Sequence, residues 1–148
     1  MLKRILGTAL ALSMLVGSSA CMINQEPPAG LNVALDRPSN QKLYQVRMAQ
    51  LAQPVEINKI HSWSITLKTA DGQPVRDAQV SVDGGMPQHG HGLPTRPQVS
   101  KGKADGEYVM EGMKFSMTGW WEIKLDITSS AGKDQITFNT VIPRSTKH

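Results

Sequence analysis

Apolar and polar side chains alternate along several stretches of this chain. Every second residue is apolar in 63–67, in 78–82 and in 121–127. A period of two is typical of a β-strand with one face buried. After residue 42 no stretch repeats apolar residues at the helical spacing. The pattern therefore predicts an all-β domain.

Turn-forming residues separate these stretches. Asp71–Pro74, Asp105–Gly106 and Ser130–Asp134 each contain glycine, proline or aspartate in a combination typical of a tight turn. About seven short strands separated by such turns are the pattern of an immunoglobulin-like fold. We therefore predict an immunoglobulin-like β-sandwich over residues 43–143, followed by a short tail, 144–148.

The first twenty residues have the features of a signal peptide. Lys3 and Arg4 precede a mostly apolar run, 5–16, and small residues occupy 17–20. This apolar run is too short to span a bilayer about 30 Å thick. Removal of segment 1–20 takes away two positive charges and lowers the formal charge from +4 to +2. We expect the mature protein to be exported.

The single cysteine, Cys21, directly follows this segment. Its position resembles that of the lipidated cysteine of bacterial lipoproteins, although Ser18 stands where that pattern has leucine. Cleavage by an ordinary signal peptidase, leaving a secreted protein with a free thiol, is the alternative. With Met22 next, a Gram-negative lipoprotein of this kind is expected in the outer membrane, facing the periplasm. Proline-containing residues 21–42 are predicted to form a flexible tether.

Composition excludes several classes of function. One cysteine among 148 residues cannot form an internal disulfide or a four-cysteine zinc module. Lysine and arginine form no cluster, so nucleic acid is not an expected partner. No serine–histidine–aspartate constellation and no phosphate-binding loop is recognisable, and we expect no enzyme.

The segment 83–97, here called the histidine loop, contains the first candidate site. His89 and His91 alternate with glycines there, and Met86 precedes them. A loop of this length without regular structure is often functional. Imidazole and thioether ligands together suit Cu(I). Zn(II) fits less well, since a full tetrahedral ligand set is not visible.

Two further methionines, Met113 and Met117, follow about twenty residues later. They can join the histidines only if residues 98–103 form a strand, because the two loops then lie at the same end of the sandwich. Trp120 and Trp121 come next, and they offer an alternative function for this region. An exposed tryptophan beside flexible glycine could anchor another envelope protein.

Several short motifs occur in one order along the chain. They are Asp71-Gly72-x-Pro74-Val75, Met86-Pro87-x-His89-x-His91-Gly92, Gly106-x-Tyr108 and Phe115-x-Met117-x-Gly119-x-Trp121-x-Ile123. Over residues 60–142 this order resembles the YtkA-like and FixH-like group of small exported bacterial domains. The resemblance implies an immunoglobulin-like sandwich outside the cytoplasm, with a role in copper handling or in assembly of a copper-containing oxidase.

The positions that carry over from this resemblance are Met86, His89, His91 and Met117. FixH-type members keep a membrane helix, whereas this chain has a signal segment, which argues against a direct role in oxidase assembly. We therefore expect a copper chaperone or buffer, anchored through Cys21, that passes copper to another envelope protein. A metal-free interaction module is the alternative.

Overall fold

The computed structural model describes residues 25–52 and 54–144, which form nine β-strands in two antiparallel sheets. This architecture confirms the predicted all-β, immunoglobulin-like sandwich, with two more strands than expected. No helix in the described residues is long and apolar enough to cross a membrane. The strands are β1 (Asp36–Pro38), β2 (Tyr44–Gln50), β3 (Ile60–Thr69), β4 (Gln79–Met86), β5 (His91–Gly92), β6 (Gln98–Lys101), β7 (Glu107–Lys114), β8 (Gly119–Ser129) and β9 (Gly132–Ile142).

One sheet has the strand order β1-β2-β3-β7-β6 and the other β5-β4-β8-β9. Because every neighbouring pair is antiparallel, the connections fall at two opposite ends of the sandwich. We call the end with connections 51–59, 87–90 and 115–118 the histidine end. The opposite end carries the turns at 70–73 and 102–106, and we call it the turn end.

The inward-facing side chains of the two sheets form one core. Phe115 lies in the part of the core nearest the histidine end, with ring centroids 5.3 Å from Trp121 and 6.5 Å from Trp63, both in edge-to-face geometry. Edge-to-face aromatic pairs add to the stabilisation that burial of these large rings provides. Trp63 and Trp121 are fully buried, whereas Trp120 is only partly so. Two of the three tryptophans are thus core residues.

The sandwich begins earlier than the sequence predicted. Within the expected tether, 21–42, Asp36–Pro38 pairs with β2 as a strand. Ser39 and Gln41, which follow it, donate hydrogen bonds to the Asp134 side chain. The prediction was wrong here because a three-residue edge strand ending in proline has no readable period. The signal segment, Cys21 and the tail 145–148 lie outside the described residues.

A buried carboxylate attaches this N-terminal segment to the second sheet. The Asp134 side chain accepts hydrogen bonds from the Ser39 hydroxyl at 2.5 Å and from the N–H groups of Gln41 and Leu43 at 3.0 and 3.3 Å. Its own neighbour, Gln135, donates a further N–H at 2.8 Å. Asp134 therefore fastens the β1–β2 connection to the start of β9.

Candidate metal-binding site

The histidine loop is more ordered than a long irregular connection. Strand β5 folds back on the end of β4, with Met86 opposite His91 and Gly85 opposite Gly92. The His89 N–H donates to the Met86 carbonyl at 3.1 Å and closes the turn between them. The two histidines therefore stand on a short hairpin that projects from the histidine end.

His89 and His91 are both exposed, and their rings stack with centroids 6.0 Å apart and planes 23° from parallel. Two imidazoles that bind one ion at about 2.0–2.1 Å have their nitrogens at most about 4 Å apart. Small rotations of these exposed side chains would bring two nitrogens within that range. The structure thus places the two predicted histidines together.

Two glycines allow the hairpin backbone to pack closely. A β-carbon added at Gly85 would lie 2.1 Å from the His91 carbonyl oxygen, and one at Gly84 would lie 2.1 Å from the Glu122 carbonyl oxygen. Both distances are far below van der Waals contact. Only glycine allows β4 to lie between β5 and β8 at this point.

Gly85→Ala is expected to displace β5 and with it His91. Such an overlap with backbone costs about 1–3 kcal/mol of stability, because the hairpin itself must move. Hydrogen exchange at the Leu93 amide, which donates to the Gly84 carbonyl at 3.1 Å, measures this displacement. We expect faster exchange there.

Gly90→Ala is the matched control in the same hairpin. A β-carbon at Gly90 meets nothing within 4 Å, so only the strain of its positive φ, 64°, is added. Equal effects of the two substitutions on the Leu93 amide would contradict the close-packing explanation.

Two of the predicted methionine ligands are core residues. Met86 and Met113 are 1% and 0% exposed, so their sulfur atoms are not presented to solvent beside the histidines. Met86 packs towards Gly119, and Met113 lies opposite His61 on the neighbouring strand β3. The two methionines fill the core at this end, and we remove both from the ligand set.

Met117 differs from these two because it is 38% exposed. The condition set for its participation is met, since Gln98–Lys101 forms strand β6. Connection 115–118 consequently lies at the histidine end, together with the hairpin. The Trp121 indole N–H donates to the Met117 carbonyl at 3.0 Å and holds that connection against the core.

The tryptophan pair does not form the predicted docking surface. Trp121 is 0% exposed, since it continues the buried face of β8. Trp120 is partly buried, and its indole N–H donates to the Asn139 side chain at 2.9 Å. The prediction for Trp121 was wrong, and an exposed anchor must be sought among other residues.

The exposed apolar residues of the domain were not predicted from the sequence. Leu51 begins the β2–β3 connection, and Ile60 begins β3 on its outward-facing side. The available signal was that both apolar residues lie outside the alternating apolar face 63–67. The large hydrophobic residues that the structure exposes in its described part are Val33, Leu51, Ile60, Met117 and Val141.

Few acidic groups surround the two imidazoles. In residues 25–52 and 54–144 no three histidine, cysteine, aspartate or glutamate side chains form a group that could hold a metal ion. A shallow hollow beside His91 contains Glu122, whose carboxylate is paired with Lys124 at 3.2 Å. The donor set is thus two imidazoles with a thioether at the same end. It suits Cu(I) better than Zn(II), which needs further ligands.

Comparison with known proteins places the chain in a family. The family model described as YtkA-like matches residues 39–126. Among solved structures, the C-terminal domain of ZirS aligns with a TM-score of 0.41 and 11% identity, covering 90% of this chain and 94% of that domain. No curated protein sequence matches. Because the family model covers more than half of the chain, this protein belongs to the YtkA-like family.

Proposed function

We propose that this protein is an exported copper-binding domain of the bacterial envelope that acts as a chaperone or buffer for Cu(I). The observation that carries the proposal is the stacked, exposed pair His89 and His91 on a hairpin built around close-packed glycines. The predicted signal segment and the YtkA-like family support an envelope location. We propose no catalytic activity.

The chemistry of the pair fits a transported ion. Neutral imidazoles bind Cu(I) without the loss of a thiol proton, and a site at the surface lets an accepting protein approach the ion directly. Met117 supplies a third, soft donor in the adjacent connection. Copper is therefore the cargo of the domain, and two or three ligands hold it loosely enough for transfer.

The proposal is tested by titrating the purified protein with Cu(I), without oxygen, against a chromophoric chelator. We expect one ion per chain, and at least about tenfold weaker binding in the double variant His89→Ala/His91→Ala. Circular dichroism should be unchanged, because both side chains are exposed and neither supports the core. Met117→Leu should weaken binding by a smaller factor.

Asn32→Ala serves as a control at the same end of the sandwich, since its exposed side chain accepts a hydrogen bond from the Ala34 N–H and is not a predicted ligand. It should bind copper like the unaltered protein. Equal affinities of the double variant and the unaltered protein would overturn the copper proposal.

A further inference from the structure

The exposed hydrophobic residues of this domain are concentrated at one end. Ile60, 62% exposed, begins β3 opposite Lys114, the last residue of β7. Leu51, 56% exposed, follows β2, and its N–H donates to the Ser62 carbonyl. Both side chains therefore lie at the histidine end, on the side of the five-stranded sheet.

The other three exposed hydrophobic residues lie at this end as well. Val141 is opposite Trp120 where β9 ends and β8 begins. Met117 is in the connection between β7 and β8. Val33 precedes β1, beside Asn32, whose carbonyl accepts a hydrogen bond from the Asn139 side chain. The five side chains thus come from both sheets around the same end.

The turn end is different in character. A salt bridge of 2.9 Å joins Arg76 to Asp105 there, and the Ser130 N–H donates to the Asp77 carboxylate. Of the large hydrophobic residues in the described part of the chain, none is exposed at the turn end. The apolar surface is therefore polarised along the long axis of the sandwich.

The N-terminal segment also meets the histidine end. The Gln88 side-chain amide, in the histidine hairpin, donates to the Glu26 carbonyl at 2.7 Å. Five residue steps separate Glu26 from Cys21, and an extended chain covers at most about 18 Å over that number of steps. A lipid on Cys21 would consequently hold Glu26, where it contacts the hairpin, within about 18 Å of the membrane surface.

We propose that the histidine end docks on the lipid bilayer, with Leu51 and Ile60 entering the headgroup region. The inference rests on the predicted lipidation of Cys21 and does not depend on copper binding. The exposed residues Lys59 and Glu56 are close neighbours at this end, so it has no single sign of charge. Apolar contact and the short anchor, rather than attraction to anionic lipids, carry the docking.

Docking at this end would restrict access to the two histidines. The hairpin lies beside the surface that meets the membrane, so only a partner at or in the same membrane could approach it closely. A diffusing protein in the surrounding space would meet the polar turn end first.

The test uses the full chain, expressed in a bacterial host and purified with its lipid, in phosphatidylcholine vesicles. Mass spectrometry verifies the lipid on Cys21, which also blocks that thiol. Ile60→Cys and the matched control Ala104→Cys, at the turn end, then carry the only reactive thiol for a polarity-sensitive fluorophore. Both native side chains are exposed, so labelling should leave the fold intact.

Brominated lipids should quench the label at position 60 several-fold more than the label at position 104. Added salt and anionic lipid should change this ratio little. Equal quenching at the two positions would overturn the proposal, as would an unlipidated Cys21. Protection of position 60 in native membranes but not in pure lipid vesicles would identify a protein as the occupant and would likewise overturn it.

Discussion

Replacement of Trp121 by alanine is expected to lower the free energy of unfolding by about 3–5 kcal/mol. The indole is 0% exposed and packs edge-to-face against Phe115. Its removal leaves a large cavity in the core between the two sheets. Urea denaturation followed by circular dichroism measures the loss.

Trp121→Phe separates packing from hydrogen bonding. It keeps an aromatic ring in the core but removes the N–H that bonds the Met117 carbonyl. We expect a smaller loss, about 1–2 kcal/mol, together with faster hydrogen exchange in connection 115–118. A loss as large as that of the alanine variant would show that the hydrogen bond, rather than the ring, dominates. Trp120→Phe, at a partly buried position, should cost less than either.

Asp134→Ala is the second substitution with a large expected effect, a loss of about 2–4 kcal/mol. It deprives the Ser39 hydroxyl and the amides of Gln41 and Leu43 of their acceptor. Ser39 is buried and Leu43 partly so, so at least these two donors lose a partner that water does not easily replace. Thermal or urea denaturation measures the loss. Asp126→Ala, an exposed carboxylate on β8, should stay within about 0.5 kcal/mol of the unaltered protein.

The same carboxylate makes stability depend on pH. Burial of Asp134 raises its pKa, but the hydrogen bonds from Ser39, Gln135, Gln41 and Leu43 outweigh burial, and the net pKa lies below its ordinary value. A lowered folded-state pKa means that the charged carboxylate stabilises the fold above the unfolded pKa of about 3.9. That contribution is lost as the pH falls from there through the folded pKa. The Asp134→Asn variant should show a smaller loss of stability over this acidic range, and an identical pH profile would contradict the explanation.

Much of the core could be predicted from alternation alone. The apolar faces of residues 63–67 and 121–127 are buried, because a strand inside a sandwich keeps one face against the opposite sheet. Strands β1 and β5 could not be predicted, since two or three residues do not establish a period. They exist through pairing with distant segments, β1 with β2 and β5 with the glycine-rich end of β4.

The candidate site was predicted less completely, for two physical reasons. Met113 and Met117 share a parity, but β7 ends at Lys114, and beyond that residue parity no longer determines which side chains face the core. Met113 is therefore buried while Met117 is exposed. The docking surface was predicted wrongly because Trp121 was assigned to an exposed tryptophan pair. It belongs instead to the alternating apolar series 121–127 of β8, whose side chains face the core.

The described chain enters and leaves the sandwich at one end. Glu26 contacts the histidine hairpin, and β9 ends at Ile142 beside the start of β8. A tag joined directly to either end of the described domain would therefore lie at the same end as the two imidazoles. The surface turn at Lys103–Ala104, at the far end, is the better insertion point for a fluorescent protein or epitope. It is also the natural place to open a circularly permuted version of the domain.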